Sequence, residues 1–360
     1  MVRNVILLSL LIIANLFGQS QGIELIHADK HIGKKVGGEQ LRIFEGNVHF
    51  QQDTIHMWCD RAVMYEEKEK IDFEGHVIIT DGKSTIRAKK IEYYWQPQQS
   101  YCYGQVRIKT EKDSLYSEYL EYNFKDGSAL ARENLYLFNR ENLTHIWGQY
   151  GFYNPQEKFS QVSIQAHLMK IDSASNDTLN IFGQVLQYFD RKEERKAVAI
   201  DSVTILQGDL KAVCDTAIYW IEKDLAVLKH NPRAWYEDSR LKAVEMEVYF
   251  DSLRLKRITL IGEAEARTLA DSTTGEEDVL KGKLIHFHIK NKKAERIIAI
   301  DNASSLYYIT DENEERGANF ATADTIKIFF QAGRLDSISI IGGARGTYYP
   351  EAFKKEIDVE

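Results

Sequence analysis

Few residues in this 360-residue chain have the types and spacing that chemistry requires. His286 and His288 flank Phe287, so on a strand both imidazoles leave the same face. That pair could hold a metal, or could simply form a polar face beside an inward Phe287. Cys59-Asp60 and Cys214-Asp215 twice set a carboxylate beside a thiol. Acid recurs next to a small residue at one register position in several places, so these acids read as outward or edge groups rather than as a catalytic dyad. Ile340-Ile-Gly-Gly-Ala-Arg-Gly346 has three glycines, which fit a phosphate loop or, continuing an alternating run, a strand entering a turn. There is no G-x-S-x-G, no H-E-x-x-H and no glycine-rich phosphate motif. The cysteines, Cys59, Cys102 and Cys214, form no CxxC and no zinc spacing with His. The expectation is a protein that is not an enzyme and calls for no cofactor and no metal.

With 28% charged residues and a formal net charge of −8, the chain lacks the basic footprint of a nucleic-acid binder, so no nucleic-acid partner is expected. Its first residues, Met1-Val-Arg-Asn-Val-Ile-Leu-Leu-Ser-Leu, place one cation ahead of an apolar run that ends near Phe17. This is the layout of an export signal over 1–20, too short for a comfortable membrane span. In an exported chain the odd cysteine count leaves room for a disulfide without requiring one; Cys59 and Cys214 read as small apolar wall residues.

The elements that would position any site come from a repeat. Phe44-Glu-Gly-Asn-Val-His-Phe, Phe73-Glu-Gly-His-Val-Ile-Ile and Cys102-Tyr-Gly-Gln-Val-Arg-Ile restart one pattern, with Gly46, Gly75 and Gly104 spaced 29 residues apart. In that register Val48, Val77 and Val106 coincide, as do Phe50, Ile79 and Ile108, then Met57, Ile86 and Leu115. Polar residues alternate between these positions, the period of strands with one buried face. The glycines are expected just ahead of each strand, where a turn or bulge needs a permissive backbone. A further column is small throughout: Cys59, Ala88, Ser117, Gly148, Cys214, Ala243, Gly282 and Ala323. Its residues cannot grow, which implies that another sheet lies close.

A second run type, as in Ile71-Asp-Phe-Glu-Gly-His-Val, Leu179-Asn-Ile-Phe-Gly-Gln-Val and Ser337-Ile-Ser-Ile-Ile-Gly-Gly, reads as strand followed by turn. Polar insertions at 271–278 and 311–317 read as loops, and 154–201 fits the register poorly. A fixed period of this length indicates stacked units, each burying its face against its neighbours. The fold class is therefore all-β: an elongated, twisted β-jellyroll or solenoid-like stack of about 29-residue units whose two walls enclose one apolar lane. The organisation is a signal peptide at 1–20, repeat segments at 23–153 and 154–349, the later one a continuation or a second jellyroll, and a tail at 350–360.

The pattern Gly46, Val48, Cys59, Asp60, Ala62 and Tyr65, with a later echo in Val203, Cys214, Asp215, Ala217 and Tyr219, resembles the OstA-like (organic solvent tolerance) proteins. That group includes LptA-type periplasmic lipopolysaccharide-transport proteins and the N-terminal periplasmic domain of LptD. The resemblance is clearest over 40–125 and 200–260. It implies a twisted jellyroll holding acyl chains inside, a periplasmic location in a Gram-negative envelope, and a role in lipopolysaccharide transport or outer-membrane assembly. The chain is roughly twice the length of the short form and carries no later run of membrane strands like that of LptD.

On this reading Val48, Phe50, Met57, Val77, Ile79, Ile86, Val106, Ile108 and Leu115 line a lipid-binding groove. The partners implied are lipopolysaccharide or a related glycolipid, and other OstA-like transport components joined end to end by strand pairing. The alternative is an exported structural or adhesive β-solenoid with a closed core. Asp followed by Ser or Thr and then a small or apolar residue, as at Asp53, Asp113, Asp201 and Asp336, fits either a bacterial O-glycosylation signal or plain turn chemistry.

Overall fold

The computed structural model describes residues 22–141, 143–171, 177–191, 194–251, 254–271, 274–309, 317–331 and 334–352. The export signal over 1–20, residues 272–273 of the expected loop at 271–278, residues 311–316 of that at 311–317 and the tail from 353 lie outside them, while Asp271, 276–278 and Gly317 are strand. The strands are β1 (Glu24–His27), β2 (Lys30–Val36), β3 (Glu39–Gln52), β4 (Ile55–Tyr65), β5 (Lys70–Thr80), β6 (Thr85–Tyr94), β7 (Gln99–Lys109) and β8 (Asp113–Asn123). Next come β9 (Ala129–Asn139), β10 (Thr144–Asn154), β11 (Phe159–Ile171), β12 (Thr178–Phe189), β13 (Lys196–Gln207), β14 (Leu210–Trp220), β15 (Leu225–Lys229) and β16 (Arg233–Tyr236). The chain finishes with β17 (Ser239–Lys242), β18 (Glu245–Asp251), β19 (Arg254–Asp271), β20 (Glu276–Lys290), β21 (Lys293–Ile309), β22 (Gly317–Gln331), β23 (Arg334–Ile341) and β24 (Arg345–Pro350). Two single 3₁₀ turns, Glu66–Lys68 and Ile221–Lys223, are the helical elements among the described residues.

All strands join one antiparallel sheet in which each pairs with its sequence neighbour. The exceptions are short strands that share a long one. β1 and β2 pair with the two ends of β3, β15 and β16 with those of β14, and β24 and β23 with those of β22. Every long strand from β3 to β13 breaks its register once near the middle, for example between Glu45 and Val48, Trp58 and Arg61, and Glu74 and Val77. The breaks align from strand to strand into a single crease. The two walls are therefore the two halves of one bent sheet, and bulges of this kind are what bend it. Twenty strands follow one another along the wall that begins with β2, so the body runs for about 90 Å along the path of the sheet.

The crease corrects two expectations. Gly46, Gly75 and Gly104 lie inside their strands, not ahead of them, each with positive φ and each followed by a second left-handed residue, Asn47, His76 or Gln105. The same left-handed pair recurs at Glu133–Asn134, Ile164–Gln165, Asp201–Ser202, His230–Asn231, Gly262–Glu263, Asp301–Asn302 and Gly342–Gly343. The Gly342–Gly343 run is thus one more corner. The small column lies on the intervening strands at the same crease, so its side chains are limited by the bend of their own sheet and not by a second one. Gly183 belongs to this column: it marks the register break of β12, and a Cβ there would stand 3.2 Å from the Ile200 carbonyl oxygen. Its Phe-Gly-Gln-Val context resembles the corner glycines, which is why 154–201 fits no simple register.

Two large clusters of buried side chains fill the fold, one from Phe44 to Ala166 and one from Ala199 to Ile326, with Leu186 packed against both, and a small third joins Val279, Leu306 and Ala318.

Candidate functional site

The nine expected groove residues fall on two adjoining inward rows. Phe50, Met57, Ile79, Ile86, Ile108 and Leu115 are successive cross-strand partners across β3–β8. Val48, Val77 and Val106 sit one step nearer the crease, facing Cys59, Ala88 and Ser117. Seven of the nine are exposed by 1% or less; Ile108 and Leu115 are half-buried and pack against the same core.

The first row does not stop at β8. From Leu115 it runs through Leu137, Ile146, Leu168 and Ile181 to Ile205, and then Ala212, Ala234, Leu241, Ala266 and Leu280. Sequence reading missed everything beyond Leu115, because longer hairpins upset the 29-residue offset. Inward residues of this row are fully buried on β3–β6, half-buried from Ile108 to Ile181, and buried again from Ile205 onward. On the facing wall Phe73, Ile91, Cys102 and Leu120 give way to Ala131, Gly151 and Val162 across the same half-open strands. The first row is thus fully buried at β3–β6 and half-buried over β7–β12, with small residues facing its later part.

At the closed end the walls are tied together over a dry interior. The Phe44 and Phe50 rings meet edge to face at 5.1 Å, and Phe50 and Phe73 at 5.9 Å. The Tyr93 hydroxyl donates to Gln52 Oε1 at 2.7 Å, Gln52 Nε2 donates to the Trp95 carbonyl at 3.0 Å, and the Tyr122 hydroxyl donates to Ser84 Oγ at 3.3 Å. Buried polar groups are tolerable only when paired in this way. Burial pushes the Cys59, Cys102 and Cys214 thiols up to about 12; all three are free and, as protonated thiols, inert as nucleophiles.

The acids beside the small column have a structural task. Asp60 lies over Gly75 and bonds His76 Nδ1 at 2.8 Å; Asp29 lies over Gly46 and accepts from Asn47 Nδ2 at 3.0 Å. Glu118 accepts from the Gln105 amide at 3.1 Å, and Gln149 does the same for Asn134. Each polar residue caps the left-handed corner of a neighbouring strand, Asp60 and Asp29 through the corner's side chain and Glu118 and Gln149 through a backbone amide that the bulge would leave unpaired. Asp53 and Asp201 are left-handed as well, at a hairpin tip and at a corner. His286 pairs with Thr259 Oγ1 at 3.0 Å, while Phe287 turns to the opposite face and is buried in the core. Burial and the nearby Arg257 cation lower the His286 pKa, and among the described residues no group of three or more His, Cys, Asp or Glu stands close enough to hold a metal.

Residues 20–176 match the family model described as OstA-like protein. No curated protein matches the chain. Among solved structures, one match is LptH from Pseudomonas aeruginosa, described as the LptA-homologous periplasmic component of the conserved lipopolysaccharide transport device. It is 11% identical and the match covers 49% of this chain and 82% of that one, with a TM-score of 0.19, too low for the two bodies to superpose as wholes.

Proposed function

We propose that this chain, OstA-like over residues 20–176, is an exported lipid-shielding protein of the Gram-negative periplasm that takes part in lipopolysaccharide transport or outer-membrane assembly. The observation that carries the reading is the inward apolar row that passes unbroken from Phe50 to Leu280, with a half-open stretch at Ile108–Ile181. Exposing an acyl chain to water costs about 0.8 kcal/mol per CH₂, so a carrier needs a continuous dry lane and a place where the lane can be entered. The first need fits the row, the second its half-buried stretch over β7–β12. No chemical step is involved, and movement would be driven by an energy source elsewhere.

The groove residues Val48, Phe50, Met57, Val77, Ile79, Ile86, Val106, Ile108 and Leu115 then form the near half of the lane. The two ends suit pairing with like components. β1 and β2 at one end and β23 and β24 at the other have no strand on their outer edge among the described residues. Leu25 and Ile26, and Ile338, Ile340 and Ile341, are exposed there. Open edges of this sort take on further strands.

A photo-crosslinker at Ile146 or Leu168 is expected to capture glycolipid in living envelopes, while one at the outward His49 or Lys211 captures none. The competing reading, a structural or adhesive β-solenoid, is favoured by the closed packing of β3–β6. It gains the field if the inward positions yield only protein adducts.

A further inference from the structure

Over β4–β9 the outer faces of the two walls treat their cations differently. On the wall that begins with β2, cations are matched: Arg61 with Glu74 at 2.8 Å, Lys70 with Asp72 at 2.9 Å, Lys90 with Glu92 at 2.9 Å and Arg132 with Glu121 at 3.5 Å. On the other wall, across β6–β9 and their hairpin tips, Lys83, Arg87, Arg107, Lys109 and Arg140 line one open pocket of about 500 Å³. Among the described residues none of these five makes an ion pair with a carboxylate; Arg140 donates to Ser114 Oγ at 2.8 Å, and Arg107 stands 5.5 Å from the Tyr116 ring centre. Arg87 and Arg107 are direct cross-strand partners. Like charges placed so are destabilising, and in a chain with a net charge of −8 acids to neutralise them are plentiful.

Three nearby acids are committed elsewhere. Asp113 accepts from Asn139, Asp81 caps the amides of Lys83 and Ser84, and Glu141 pairs with Lys112. The outward row that holds Arg87 and Arg107 continues as Tyr116, Tyr136, Trp147, His167 and Phe182, whose rings stack on one another at 4.1 to 5.7 Å. Ring faces are therefore occupied and ring edges, the electropositive part, point outward. Cations followed by aromatic edges make an oxygen-rich anion the matching guest. Ile108, whose side chain packs against the interior at the start of the half-open stretch, borders the pocket as well.

We propose that this pocket binds the phosphorylated sugar headgroup of the glycolipid whose acyl chains occupy the half-open lane, with Arg87 and Arg107 taking a phosphate and the ring row meeting the sugar oxygens. This rests on the lipid-shielding reading above. Guanidinium groups suit phosphate because they offer paired donors in a fixed plane.

The test uses the full chain and three probes: a lipid A-type bisphosphorylated glycolipid, its enzymatically dephosphorylated form, and the deacylated, water-soluble bisphosphorylated saccharide. Wild type is expected to hold the phosphorylated glycolipid about tenfold or more tighter than the dephosphorylated one. In an R87Q/R107Q variant that ratio falls to near one while affinity for the dephosphorylated probe stays unchanged, and R87K/R107K restores part of it. A preference that survives R87Q/R107Q, or is missing from wild type, overturns the proposal. If neither acylated probe binds, the lipid-shielding reading fails and the soluble saccharide decides the pocket. Retention that depends on Arg87 and Arg107 upholds it as an anion site, and no retention overturns it.

Discussion

Strands β3–β8 and strands β9–β13 are built on the same bent-sheet plan and solve the bend differently. In the first stretch the corners fall on Gly46, Gly75 and Gly104, for which a left-handed conformation costs little. In the second they fall on Glu133, Ile164 and Asp201, with φ of 64°, 66° and 64°. A side chain in that region costs of order 1–3 kcal/mol, and most for a β-branched residue such as Ile164. The first inward row is exposed by 1% or less over β3–β6 and half-buried from Ile108 to Ile181, so its loosening begins beside the glycine corner Gly104, continues past the strained corners Glu133 and Ile164, and ends at Ile205 beside Asp201. Strain and half-burial overlap over β9–β12, which makes that stretch the part most easily opened.

The comparison makes its largest prediction for thiol access. Cys59 is buried on β4 in the closed stretch, and its thiol is held protonated. A maleimide should label an I146C variant at least about a hundredfold faster than Cys59 in the native protein, because the first needs only local loosening and the second an opening of the closed walls. Equal rates would mean that the two stretches are equally open.

Truncations come next. Phe50→Ala should cost about 3–5 kcal/mol in denaturant unfolding, and Ile146→Ala, half-buried, less than half as much. Matching losses would remove the contrast.

The C-terminal core extends the comparison by pH. Asp278 is largely enclosed beside Val279 and Leu306, and burial, partly offset by a bond from the Tyr308 amide at 2.8 Å, raises its carboxyl to about 6. Between about pH 4 and pH 6 the folded chain then keeps a proton that the unfolded chain has released. Stability should fall as pH rises through that window, by on the order of 1–3 kcal/mol. Asp278→Asn should flatten that slope and raise the melting temperature at pH 7. An unchanged slope would place Asp278 in a wet surrounding and the C-terminal core on the loose side of the contrast.

The smallest effects belong to the corners themselves. Gly75→Ala meets both a positive φ and the Asp60 carboxylate and should destabilise by about 1–2 kcal/mol. Ile164→Gly should stabilise, by up to about 1 kcal/mol, since it relieves a strained corner whose side chain is 55% exposed. Opposite signs in thermal melts are the check.

Much of the closed stretch was legible in the sequence. Phe50, Met57, Ile79 and Ile86 could be put on one row because two periods, 2 and 29, agree there, and both report the same physical fact of alternating faces. The bend was not legible. A residue in the left-handed corner occupies a place in the alternation just as an extended one does, and at Glu133 and Ile164 no glycine marks it. Gly183 misled for the opposite reason, a glycine kept small by the Ile200 carbonyl and not by a positive φ. The cation pocket was out of reach as well: Arg87, Arg107 and Arg140 are 20 and 33 residues apart, and only the strand register brings them to one face.

Because the long strands from β3 to β14 pair only with those next to them in sequence, apart from the short strands at either end, the lane has a unit of length. One corner strand and its small-column partner advance the sheet by two strand spacings, about 10 Å, and touch nothing beyond the adjacent pair. Deleting or duplicating such a pair would change the distance spanned while leaving the cross-section as it was. The protein is in this sense a ruler, and its reach can be reset by counting hairpins without redesigning any contact.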